Sequence, residues 1–109
     1  MSDDPQQGTR PRFGVGELVH HRKFGYRGVI VAVDPEFRGT EAWYQTMARS
    51  QPPRDRPWYS VLVDGAGHST YVAERHLEPD DSCEQIAHPA LGQFFNRFVD
   101  GRYYSTSAL

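Results

Sequence analysis

The run Tyr26-Arg27-Gly28-Val29-Ile30-Val31-Ala32-Val33 constrains the fold more than any other stretch of the chain. Three valines and an isoleucine fall within these eight residues, and β-branched side chains favour the pleated backbone over the helix. The apolar residues are nearly continuous rather than alternating, which is the pattern of a central strand buried on both faces. Asp34-Pro35 stops the run, because proline cannot donate to a ladder. Gly28, inside it, predicts a bulge or a sharp bend.

A strand buried on both faces needs neighbours, and the sequence supplies them. Gly14 to His21 reads as a turn feeding a short strand, and Lys23-Phe24-Gly25-Tyr26 turns the chain into the central run. Trp58 to Asp64 is a second strong strand, joined through Gly65-Ala66-Gly67-His68 to Ser69–Glu74. A last short strand covers His76 to Glu78 and is stopped by Pro79. Between Pro35 and Pro57 lies an insertion with a short helix at Thr40–Ala48, with Thr40 as N-cap and Glu41 in the first turn. Trp43 and Met47 share one face of it. Near the C-terminus, Pro89 opens a second short helix within His88–Phe98, whose Leu91, Phe94, Phe95 and Phe98 keep helical spacing.

These elements predict a mostly β protein: a small, partly open antiparallel barrel with a short inserted helix and a C-terminal helical extension. Its core is expected around Ile30, Val61 and Tyr71, with Trp58 nearby. The organisation follows: residues 1–12 as a tail, 13–79 as the β domain, and 80–109 as an acidic linker with an extension docked on it. The segment Gly101 to Leu109 is expected to be a loose tail, dispensable for the barrel's stability.

At 109 residues there is room for one domain. No stretch approaches the roughly 18–20 apolar residues that span a bilayer, and Met1-Ser2-Asp3-Asp4-Pro5 has no apolar run behind it. Cys83 is the one cysteine, so no internal disulfide forms and a reducing, cytoplasmic setting is expected. No cofactor motif is present: Gly14-Val15-Gly16 precedes a strand rather than opening a helix, so it is a turn and not a phosphate cradle. His20 and His21 alternate across a strand and cannot grip one ion together. Cys83 and His88 lack the further ligands of a zinc site, and the acids around Cys83 disfavour a thiolate nucleophile. The expectation is a non-enzymatic binding module without metal or cofactor.

The net charge is −2, but its distribution is uneven. Arg10, Arg12, Arg22, Lys23 and Arg27 face a single acid, Glu17, while Glu74, Glu78, Asp80, Asp81 and Glu84 accompany only Arg75. Such asymmetry marks either a binding face or two solvated sides of an ordinary domain. Aromatic residues make up 13% of the chain, and several lie among the basic ones. Arg22, Lys23, Phe24, Tyr26 and Arg27 are therefore the candidate contact residues for DNA or a protein partner. Tyr103 and Tyr104 are candidates for a secondary partner contact.

Several blocks in order resemble the HspQ family, also called the YccV-type hemimethylated-DNA-binding domain. They are Phe13-x-Val15-Gly16-x-x-Val19-x-His21-Arg22, then Gly25 to Ile30 with Asp34-Pro35, and Glu41-x-Trp43. Pro57-Trp58-Tyr59-x-Val61-Leu62-Val63 and Thr70 to Glu74 with Leu77 complete the set. The resemblance implies an SH3-like β-barrel and a non-catalytic role. It implies two activities: regulation of proteolysis by the ATP-dependent protease Lon in heat shock, and binding of double-stranded hemimethylated DNA. A net charge of −2 disfavours strong duplex binding, so the protease regulator is the leading expectation and DNA the alternative. Exposed strand edges also leave room for a homo-oligomer.

Overall fold

The computed structural model describes residues 10–106. Five strands form one antiparallel sheet: β1 (Leu18–His21), β2 (Arg27–Asp34), β3 (Trp58–Val63), β4 (Ser69–Ala73) and β5 (Leu77–Pro79). Their order is β4-β3-β2-β1-β5, so β2 is central, as its composition demands. Helix α1 (Glu41–Met47) lies in the β2–β3 connection, with the Thr40 hydroxyl accepting the Trp43 amide at its start. Among the described residues no helix is long and apolar enough to cross a membrane.

The sheet is curled. A flat sheet would set its outer strands, four spacings apart, about 19 Å from one another. The chain passes from Ala73 at the end of β4 to Leu77 at the start of β5 in four peptide steps, at most about 15 Å, and spends three residues in a 3₁₀ turn, Glu74–His76. Accordingly Val72 on β4 and Leu77 on β5 join a single inner core with Phe13, Val19, Ile30, Tyr59 and Val61. No ladder closes β4 onto β5 among the described residues, so the sheet remains open.

Ile30 and Val61 are fully buried and Trp58 nearly so, whereas Tyr71 is only half-buried. Gly28 does not make the bulge expected of it. It keeps regular register with Val19 and Val63, and the bulge lies one turn of the pleat later, between Ile30 and Ala32. Gly28 serves close approach instead: a methyl there would collide with Val61 Cγ1 and the Leu62 carbonyl oxygen.

The C-terminal region differs most from expectation. Helix α2 is one turn, Leu91–Phe94, and it ends before Phe98. Phe98 belongs to β6 (Arg97–Val99), which pairs with β7 (Arg102–Tyr104) as a hairpin, Phe98 opposite Tyr103. The hairpin turn is Asp100-Gly101, both with positive φ (52° and 80°), the geometry Asp-Gly favours. Ring contacts of Tyr103 with Phe95 and Phe98, at 5.4 and 4.5 Å, overrode the helical spacing. Tyr103, Phe95 and Ile86 cover Leu18, Val29 and Leu62 on the outer face of the sheet, forming a second core. Gly16 admits this hairpin: with φ +94° it accepts the Tyr103 amide, and a side chain there would strike the Tyr103 carbonyl. Residues 102–106 are thus integral to the fold, and Arg12, at the end of the expected N-terminal tail, donates its amide to Tyr59 and Glu74. Residues 1–9 and 107–109 of the expected tails lie outside the described residues.

Candidate functional site

The two oppositely charged runs of the sequence meet each other. β1 pairs with β5, so the basic segment lies along the acidic one. His20 Nδ1 is 2.9 Å from Glu78, and Arg22 approaches the same carboxylate at 3.9 Å while donating from Nε to the Leu77 carbonyl at 3.3 Å. Arg27 is held hardest: Nε donates to Asp80 at 2.8 Å, one terminal nitrogen to Asp64 at 3.1 Å, and the other to the Glu84 carbonyl at 2.6 Å. Burial opposes its charge, but Asp80, Asp64 and Glu84 outweigh that and push its pKa upward. Glu74 accepts the Tyr59 hydroxyl and the Arg12 amide.

What the charges leave open is a cleft of about 620 Å³ beside β4. One side is the β1–β2 turn with Lys23, Phe24 and Tyr26; the other is the end of α1 with Trp43, Met47 and Arg49. Phe24 and Met47 stand out at its rim, 71% and 62% exposed. The wall between is aromatic: Trp43 and Trp58 contact Tyr71 at ring distances of 5.7 and 5.2 Å. The Tyr71 hydroxyl donates to Asp34 at 2.6 Å and accepts the Arg38 amide at 3.1 Å. Burial, then the Asp34 carboxylate, pushes its pKa up to about 12, so it stays neutral. Tyr26 bonds Thr70 through its hydroxyl at 2.7 Å, linking the turn to β4.

His21 organises the turn. Its Nδ1 accepts the backbone amides of Lys23 and Phe24 at 3.1 and 3.0 Å, and its ring stacks on Phe24 at 4.7 Å and on His76 at 5.6 Å. A nitrogen accepting two amides must be unprotonated. Burial first, then His76, His20 and Lys23, lowers the His21 pKa to about 4. The His76 pKa is lowered too, by burial, Arg75 and Lys23. Among the described residues there is no group of three or more His, Cys, Asp or Glu able to hold a metal ion, and the cleft wall contains no carboxylate. An aromatic hollow with cations at its edge can bind; Ser50 Oγ lies 3.0 Å from His76 Nε2 at its rim, and no carboxylate lines the hollow to orient that imidazole.

The sequence model of the family described as "Hemimethylated DNA-binding protein YccV like" matches residues 11–102 of the chain. The chain belongs to the YccV-like family. That match covers the sheet and β6 and ends at Arg102, the first residue of β7. The YccV-like chain is also similar to F-box only protein 21 of Homo sapiens, 29% identical over 99 residues, and to the protein of the same name from Pongo abelii. The similarity takes in 89% of this chain but 16% of those relatives, so the YccV-like chain spans about a sixth of their length.

Of the contact residues expected from sequence, Lys23, Phe24 and Tyr26 come together at the cleft of the YccV-like domain. Arg22 points toward Glu78, and Arg27 lies in its own ion-pair network. Tyr104 is exposed but Tyr103 is buried, so the two do not form one surface. Trp43, Met47, Arg49 and His76 line the cleft although sequence reasoning did not place them there. Trp43 and Met47 carried a signal, their shared helical face; Arg49 and His76 carried none.

Proposed function

We propose that this YccV-like chain is a non-enzymatic recognition module, built on a curled sheet of the SH3-like barrel type, that binds a protein partner and regulates ATP-dependent, Lon-type proteolysis. One observation carries the reading: Arg22 and Arg27 of the basic run are engaged by the chain's own carboxylates, and the surface left open is an aromatic cleft. Exposed aromatic side chains beside an apolar hollow are the usual anchors of protein recognition. Similarity to one part of the much longer F-box only protein 21 is consistent with a module used within larger proteins. The test is a degradation assay with purified Lon protease and several candidate substrates. The expected result is a rate change that depends on the concentration of the chain. No change with any substrate, together with no complex by co-purification, removes the reading.

The family description favours a second reading, binding of hemimethylated double-stranded DNA. Lys23 and Arg49 at the cleft offer phosphate contacts, and the aromatic wall offers stacking. Matched unmethylated, hemimethylated and fully methylated duplexes, compared at one salt concentration, decide it. Equal affinity for all three removes methyl recognition, and no binding at low salt removes DNA.

A further inference from the structure

β4 is an edge strand, and its free edge lies in the cleft. The hollow touches Ser69, Thr70, Tyr71, Val72 and Ala73 in succession. Successive strand residues point to opposite faces, so a hollow touching all five runs along the edge rather than over one face. Which backbone groups look into it follows from the ladder. The Val63 amide donates to His68 and the Glu74 amide to Pro57, at 3.3 and 3.1 Å, and the register sets Val61 opposite Thr70 and Tyr59 opposite Val72. Hydrogen-bonded and non-hydrogen-bonded pairs alternate in an antiparallel ladder. Thr70 and Val72 therefore turn their amides and carbonyls toward β3, and Ser69, Tyr71 and Ala73 turn theirs to the open edge. Among the described residues no strand pairs with that edge.

The chemistry around the edge selects among occupants. Lys23 and Arg49 reach the hollow, neither has an ion-pair partner among the described residues, and no carboxylate lines it. Trp43, Tyr71 and Met47 offer a seat for one large apolar side chain. A nucleic acid can satisfy the cations and the rings, but only a polypeptide can complete a β ladder.

We propose that this cleft receives an extended polypeptide segment that adds to β4 as a further strand, sets an apolar side chain against Trp43 and Tyr71, and places flanking carboxylates near Lys23 and Arg49. The assignment rests on the reading that the partner is a protein, and it specifies the partner's class: an acidic, extended segment with a central apolar residue.

The probe is the acetylated heptapeptide Glu-Glu-Val-Phe-Val-Glu-Glu, titrated into the full chain and followed by amide chemical shifts. The expected result is saturable shifts in β4 and around Phe24, Trp43 and Arg49. Replacing the four glutamates by lysines, or making Lys23→Glu with Arg49→Glu, weakens binding about tenfold, since each exposed charge pair contributes a few-fold. N-methylation of the alternate peptide amides that face β4 abolishes binding, while methylation of the other set leaves it. That comparison needs no protein variant and is immune to misfolding. Equal loss from both methylated sets, shifts away from β4, or displacement of the peptide by a second copy of the chain in light scattering would overturn the proposal. So would a duplex oligonucleotide that fills the cleft when the peptide does not. A Lon rate effect that persists in the Lys23→Glu, Arg49→Glu variant also overturns it, while leaving the protease reading standing.

Discussion

Arg27 and Asp80 are joined by a 2.8 Å ion pair that ties the central strand β2 to the segment after β5. Only 21% of one side chain and 12% of the other meet solvent. This pair, with Asp64 as a third member, turns a charge asymmetry in the sequence into an internal clasp. It also decides what Arg27 does: it is a structural cation.

Removing one member of a largely buried pair leaves the other charge uncompensated. Arg27→Ala and Asp80→Ala are each expected to lower unfolding free energy by about 2–4 kcal/mol. The double variant should cost clearly less than the sum, as residues in one network are not additive. Urea unfolding of the four proteins checks this, and additive costs would show that the clasp does not couple them.

Gly28 gives a steric prediction. Because its missing Cβ is replaced by Val61 and the Leu62 carbonyl, Gly28→Ala forces β2 and β3 apart and should destabilise by about 2 kcal/mol or more. Gly67 has open space around it, and Gly67→Ala should stay within about 0.5 kcal/mol. Thermal melts of the two variants make the comparison, and similar costs would contradict the packing described for Gly28.

His21 makes stability depend on pH with a definite sign. Its pKa falls from 6.5 to about 4 on folding, so between those values the unfolded chain binds more protons than the folded one. The contribution is fully present above about pH 6.5 and shrinks as pH falls toward 4. His76, whose pKa is lowered as well, acts in the same direction. The loss attributable to His21 is on the order of 2 kcal/mol, after discounting for solvent in the open cleft. Urea titrations from pH 7.5 to 4.5 measure it, and His21→Asn should flatten that part of the slope whatever it does to stability at neutral pH.

Much of the sheet is legible in the sequence because its signals are local. Val29 to Val33 can hardly be anything but a strand, Asp34-Pro35 ends it, and Thr40 caps a helix by a bond three residues long. The C-terminal region misled because Leu91, Phe94, Phe95 and Phe98 satisfy a helical period while tertiary contacts chose otherwise. Asp100-Gly101 was the signal that could have revealed the hairpin, since Asp-Gly between apolar runs is a two-residue β-turn. The cleft is of another kind. Its walls come from residues 21–26, 43–52, 58–60 and 68–76, and no local pattern in any one segment announces the others. The charge runs were visible, but their mutual pairing depended on β1 lying beside β5, a contact between segments more than fifty residues apart.

The two tyrosines of the hairpin should behave oppositely. Tyr103 is 4% exposed, packs on Phe95 and Phe98, and its hydroxyl accepts the Ile86 amide at 2.8 Å. Tyr103→Ala should cost about 3–5 kcal/mol, and removing Gly101 to Leu109 should lower the melting temperature markedly. Tyr104→Ala, at an exposed position, should cost about 0.5 kcal/mol or less. Calorimetry of the three proteins checks this; an unchanged melting temperature on truncation would mean that the hairpin is an appendage after all.

The last prediction concerns salt. Counting four or five phosphate contacts from the run Arg10, Arg12, Arg22, Lys23 and Arg27 gives a log–log slope of affinity against salt of about −4, at about 0.9 per contact. The fold changes that count, because Arg27 is clasped by Asp64 and Asp80, and Arg22 leans on Glu78. With Arg12, Lys23 and Arg49 to meet phosphates, any duplex binding should follow a slope of about −3. Fluorescence anisotropy with one duplex between 50 and 200 mM salt, roughly the range over which such slopes are resolved, measures it. Arg27→Gln should leave that slope unchanged while lowering stability, because it removes a cation that never faced the DNA. A slope of −4 or steeper, flattened by Arg27→Gln, would mean that the clasp opens on DNA and that phosphates replace Asp64 and Asp80 around Arg27.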